Sequence, residues 1–256
     1  MSDPRVKQAA RNNALWCDAV CRAHGRPGEF HAGLWLNRRP TPRFYSNAIT
    51  LSSKDRAGQR AWIALLLAER PSFSVKDSFA ALDLSGLGFD VLFEATWLWW
   101  DGGRNGDESP DYEPKQSAQS AKSADDSALN WSTVGDAAGL ARWEAAWAGH
   151  HTGAVPDRER IFRPALLREP GVAFLAGARG GAVVAVAAAN LTGDVVGLSN
   201  VFAPPDEADA AYAGAAALAA ALFPGRPLVG YERGDDLGHA RRAGFTEIGP
   251  LRVWAR

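Results

Sequence analysis

Apolar positions along this chain recur with two periods, and each period predicts a different element. A helical spacing over 5–24 places Ala9, Ala14, Trp16, Val20 and Cys21 near one face, and Gly25 stops it. Leu34-Trp35-Leu36 and 44–51 read as strands. Ser52 and Asp55 have capping-box spacing and open a helix that runs to Glu69, with Trp62, Leu65 and Leu66 apolar and Pro71 at its end. A strand over 73–77, a short helix over 79–87 closed by Gly88-Phe89, and a long strand over 91–100 complete this half.

The pattern then vanishes. Gly, Ser, Asp, Lys, Gln and Pro dominate 101–130. Such a composition buries too little apolar surface to offset its ordering entropy, which predicts a flexible linker between halves 1–100 and 131–256. Periodicity returns over 133–149, where Val134, Ala137, Leu140, Trp143 and Trp147 predict a helix ending before His150 and His151. Strands over 172–178 and 182–191 flank the tight turn Arg179-Gly180-Gly181. A strand over 195–202 follows, and Pro204-Pro205 introduces a helix over 206–223. A strand over 228–232, a short helix over 235–243 closed by Gly244-Phe245, and a last strand over 248–254 end the chain.

The two halves share this order. Tyr45-Ser46-Asn47 corresponds to Leu198-Ser199-Asn200, and each is followed by a helix and by a strand ending in an acid, Asp77 or Glu232. Each half then closes a short helix with Gly-Phe, which predicts internal duplication. The Gly-Phe step itself is a folding signal, because glycine takes the left-handed closing conformation without a Cβ penalty.

Composition narrows the setting. The 256 residues carry a net charge of -1, which gives no electrostatic case for nucleic acid or an anionic membrane as partner. Cys17 and Cys21 lie on one helix face, outside any redox or zinc spacing, and suit a reducing cytoplasm. The amino-terminal residues lack the apolar core of a leader, so a soluble cytoplasmic protein is expected. The adjacent histidines have no carboxylate or cysteine at useful spacing, and no metal site is expected.

The order from 195 to 256, with its Gly-Phe step and the hairpin before it, resembles the second half of a GCN5-related N-acetyltransferase (GNAT) domain. The resemblance implies a mixed α/β sheet with two GNAT-like halves in the acyl-CoA N-acyltransferase fold. It also implies direct acetyl transfer from acetyl-CoA, as co-substrate, to a small-molecule amine. The cofactor would lie between splayed central strands, against Val201 and Ala203, with its pyrophosphate at the following helix N-terminus. The family signature Gln/Arg-x-x-Gly-x-Gly/Ala is met in part: Gly214-Ala215-Ala216 supplies its end, with Ala211 at its start. In the first half Arg56 and Ala61 fit, and Gln59 replaces the glycine.

Asp206, Glu207 and Asp209 crowd the second helix start, where they would repel a phosphate. Glu232 is the implied general base, and Ser199 and Asn200 would orient substrate. The tyrosine that serves many members as acid is replaced by Ala240 and Leu84, which leaves Tyr231 and His239 as substitutes. Tandem members of the family keep one working half, and the second is the candidate here. A catalytically inactive scaffold that binds a metabolite or a protein is the alternative.

Overall fold

The computed structural model describes residues 3–102, 129–149 and 160–256. The expected linker lies almost wholly outside these residues, as do His150 and His151. The elements of the first half are α1 (Pro4–Ala23), β1 (Glu29–Phe30), β2 (Leu34–Leu36), β3 (Ala48–Thr50), α2 (Arg56–Glu69), β4 (Ser74–Asp77) and β5 (Asp90–Trp100). Those of the second are β6 (Asn130–Thr133), α3 (Ala137–Ala148), β7 (Val172–Arg179), β8 (Ala182–Thr192), β9 (Val195–Phe202), α4 (Ala208–Leu222), β10 (Leu228–Glu232), α5 (Gly234–Arg242) and β11 (Thr246–Ala255).

All these strands join one mixed sheet, in the order β1-β2-β3-β4-β11-β5-β10-β9-β8-β7-β6. The order is symmetric about the antiparallel β11–β5 pair. Antiparallel partners lie outside it, β4 on β11 and β10 on β5. Beyond them lie parallel partners, β3 on β4 and β9 on β10. The last strand of each sequence half is thus inserted beside the other half's penultimate strand.

Alternation along the strands divides the core into two layers. Trp97, Trp99, Phe174, Val186 and Val229 turn to the face covered by α1 and α3. Leu98, Leu175, Val196, Leu198 and Leu228 turn to the face covered by α4 and α5, and α2 packs with Leu34, Leu36 and Val75. Among the described residues, no helix is long and apolar enough to cross a membrane.

Several elements differ from expectation, each for a local reason. The helix expected over 79–87 is a loop with a single 3₁₀ turn, Ser85–Leu87. The Asp77 carboxylate accepts hydrogen bonds from the Phe79 and Leu82 amides, at 3.3 and 2.7 Å, and so competes with helix formation. Asp55, not Ser52, caps α2, by accepting a bond from Gly58 N at 3.1 Å. The strand expected over 44–51 shortens because Phe44 is left-handed, at φ 71, and Tyr45 N turns back to Pro42 O. The helix expected from 133 begins at Ala137, where Asp136 caps it through Gly139 N, and Asn130–Thr133 instead adds an edge strand to β7. The Gly-Phe steps form as expected: Gly88 and Gly244 have φ 77 and 92, and Phe89 and Phe245 are buried behind them.

Candidate functional site

Strands β9 and β10 separate. They pair only at Val196 with Leu228 and Gly197 with Val229, near the start of each strand. The cause lies on the other edge of β9. There Asn200 and Val201 together oppose Ala187 alone, between the Ser199–Ala188 and Phe202–Val186 pairs. This bulge holds Asn200 in the left-handed region, at φ 55, which asparagine tolerates better than most side chains. Its Nδ2 donates to Ser199 Oγ at 3.0 Å. The backbone beyond Leu198 is thereby turned out of the ladder with β10 and into an opening.

The opening leads on the α4 face to a groove lined by Val201, Ala203, Ala208, Ala211, Tyr212 and Asp236. A 3₁₀ turn over Pro205–Glu207 leads into α4 and ties up the Ala208 N–H on Pro205 O, but no side chain caps the amides that follow, so these keep the capacity to bind an anion. Two of the three acids at this helix start, Glu207 and Asp209, are already engaged. Glu207 forms a two-pronged pair with Arg179, whose guanidinium holds the carboxyl below its ordinary range. Asp209 is bound by His239 and Arg242, which lower it likewise. Tyr212 points a buried hydroxyl into this region, beside the Glu232 carboxyl. Burial pushes its pKa far up, and the nearby Glu232 carboxylate acts in the same direction.

The placement of Gly214, Ala215 and Ala216 corrects the motif reading. The signature residues fall inside α4, where backbone amides are spent on helical hydrogen bonds. Ala215 and Ala216 are buried in the core. A Cβ on Gly214 would lie 2.1 Å from Trp131 Nε1, so this glycine serves the packing of β6 on α4. The positions that line the groove are Val201, Ala203 and the first turn of α4.

The equivalent region of the first half is filled. Thr50 Oγ1 accepts from Ser78 N at 2.8 Å and lies 3.4 Å from Asp77, bridging the tips of β3 and β4. Gln59, at the position of the signature glycine, is buried and donates to the carbonyls of Gly33, Ser52 and Lys54. The Asp55 carboxylate occupies the Gly58 amide at the α2 start and would repel an anion there. An anion there would displace bonds the chain already makes.

On the α1 face the same opening widens into a cavity of about 210 Å³. It is lined by Asn12, Asn13, Tyr45, Lys76, Asn190 and Trp97, together with Ser199, Asn200, Val201, Tyr231 and Glu232. Glu232 is half-buried in overall exposure, but burial of its carboxyl pushes the pKa up to about 8. Tyr212 opposes this rise and Asp236 adds to it. Tyr231 and Glu232 point to opposite faces of β10, one to the α1 side and one toward Tyr212.

The structure therefore brings Ser199, Asn200, Val201, Tyr231 and Glu232 to one opening, with Ala203 in the adjoining groove. His239 does not belong with them. It lies outside the cavity lining, with Nδ1 2.6 Å from Asp209 Oδ1 and Arg242 beside it. The sequence reading missed Lys76, Tyr45, Asn13 and Tyr212. Tyr212 alone carried a signal, as the one aromatic in the first turns of an alanine-rich helix. Among the described residues no group of acids, histidines and cysteines could hold a metal ion.

No protein-family model matches this sequence, and no curated protein matches it. Solved structures do. A GCN5-related N-acetyltransferase from Kribbella flavida is 16% identical, with a TM-score of 0.55 over 96% of this chain and 95% of its own. A protein described as a GNAT-family acetyltransferase from Novosphingobium aromaticivorans is 13% identical, with a TM-score of 0.50 over 96% and 97%. A conserved protein of unknown function from Bacteroides thetaiotaomicron is 10% identical, with a TM-score of 0.52 over 99% and 92%. At these identities the likeness establishes the fold, the acyl-CoA N-acyltransferase fold.

Proposed function

We propose that this chain, folded as an acyl-CoA N-acyltransferase, moves an acetyl group from acetyl-CoA to a small-molecule amine at its second half. The observation that carries the reading is the opening between β9 and β10, joined to a helix N-terminus that no side chain caps and where Glu207 and Asp209 are already paired. Acetyl-CoA would supply the activated thioester. Val201 and Ala203 would flank its arm, and the first amides of α4 would bind its pyrophosphate. Glu232 takes the proton from the attacking amine, in the role the resemblance gave it. Tyr212, protonated and beside the Glu232 carboxyl, donates to the departing thiolate. The symmetric strand order supports duplication, with the first half kept as scaffold.

Ala240 in place of the family's tyrosine favours the inactive scaffold, and the Tyr212 hydroxyl answers that objection. Turnover separates the two readings. With acetyl-CoA and a panel of primary amines, thiol release is expected to depend on the amine, with an N-acetylated product seen by mass spectrometry. Binding of acetyl-CoA without amine-dependent thiol release for any member would support the scaffold.

A further inference from the structure

The cavity on the α1 face holds a buried cation with no anion beside it. Lys76, on β4, is only 6% exposed. Its ammonium donates to Asn13 Oδ1 at 2.8 Å and to Tyr231 Oη at 3.0 Å, and lies 4.3 Å from the centre of the Tyr231 ring. An ammonium has three donors, and these two neutral acceptors use two of them. Among the described residues no carboxylate lies within ion-pair reach or acts on its titration; the Tyr231 phenol and the Cys17 thiol are the groups that do. A buried charge without a counter-charge is costly, so it is an unusual thing for a chain to keep. Close by, the Tyr45 hydroxyl is buried without a hydrogen-bond partner. Both residues line the cavity, where Lys76 is the only cation and Glu232 the only acid among the lining residues.

We propose that the acceptor amine also carries a carboxylate, which pairs with the Lys76 ammonium and accepts a hydrogen bond from Tyr45, while its amine faces Glu232. The substrate class is then an amino acid or another small aminocarboxylate. This rests on the acyl-transfer reading above. One ammonium with neutral donors matches a monoanion; a phosphate dianion would leave charge uncompensated. The arrangement also gives the first half a task, since β4 supplies the recognising cation to a site built by β9 and β10.

The test compares the standard L-amino acids with their carboxamides and their decarboxylated amines, on the full chain. Binding is read by calorimetry without acetyl-CoA, and acceptor activity by thiol release. The preferred amino acid is expected to bind at least about tenfold more tightly than its carboxamide, the difference of one 1.4 kcal/mol step. Lys76→Met should bring the ratio near one, and Lys76→Arg should restore part of it. Equal binding of acid and carboxamide in the wild type overturns the proposal, as does an unchanged ratio in Lys76→Met or a panel in which no carboxylate-bearing amine binds. Carboxylate preference without acetyl transfer keeps this site and removes the acyl-transfer reading instead.

Discussion

Glu232→Gln is expected to lower kcat/KM by about 10² to 10⁴, the range that a positioned general base supplies. The substitution keeps the shape of the side chain and removes its ability to accept a proton. The pH profile adds a check that mere damage would not pass. A base must be ionised, and burial sets the Glu232 pKa at about 8. Activity of the wild type should therefore climb through about pH 8 and level off above it, and that climb should be missing from Glu232→Gln. Stability gives the same group a second readout, with opposite sign. The folded carboxyl holds its proton more tightly than the ordinary value of 4.5. Its contribution is full below 4.5 and is lost as pH rises from there to about 8, because over that window the unfolded chain has released its proton while the folded state still holds one; above about 8 both have released it and the loss levels off. Denaturation midpoints should fall across that window in the wild type and fall less in Glu232→Gln. A variant with unchanged kcat/KM at every pH would remove Glu232 from the mechanism.

Trp143→Ala is expected to cost about 3–5 kcal/mol, the range for truncating a fully buried large aromatic. Trp143 has no exposed surface, and it anchors α3 against the edge of the sheet that carries β7 and β8. Its ring meets Phe162 and Phe174 edge-on at centroid distances of 4.8 and 4.9 Å. Its Nε1 donates to the carbonyls of Leu175 at 2.9 Å and Ala187 at 3.2 Å. The variant thus loses dispersion contacts, leaves a void and gives up a donor at once. For a chain of this length the unfolding temperature should drop by roughly 10 °C, at about 2–4 °C per kcal/mol. A loss under about 1 kcal/mol, measured by denaturant unfolding, would show that the region relaxes to fill the space.

These two residues also show what the sequence could and could not reveal. Trp143 was legible, because helical spacing put it in line with Leu140 and Trp147 and such stripes face a core. Strands β9 and β10 appeared at their observed bounds because turn residues punctuate both ends: Gly193-Asp194 and Pro204, then Pro224-Gly225 and Gly234. Glu232 was legible as a strand-end acid beside the opening. Its counterpart Asp77 looked identical in sequence, yet it bonds the loop after it. Only the fold separates the two.

Other features depend on distant partners. Lys76 meets Asn13 and Tyr231, which are 63 and 155 positions away, so nothing near it in sequence marks it as special. The exchange of β5 and β11 is equally invisible to periodicity, since each strand reads the same whichever neighbour it pairs with. The Gly-x-Ala match misled because a short pattern inside an alanine-rich helix arises easily, and Gly214 answers to the Trp131 ring.

The central claim is that acetyl-CoA occupies the second half alone. Calorimetric titration of the full chain with acetyl-CoA tests it most directly, with Ala203→Asp placing a carboxylate in the groove before α4 and Lys54→Asp placing one at the start of α2. One site per chain is predicted, lost in Ala203→Asp and retained in Lys54→Asp. Two sites, no site, or loss of binding in Lys54→Asp alone would contradict it.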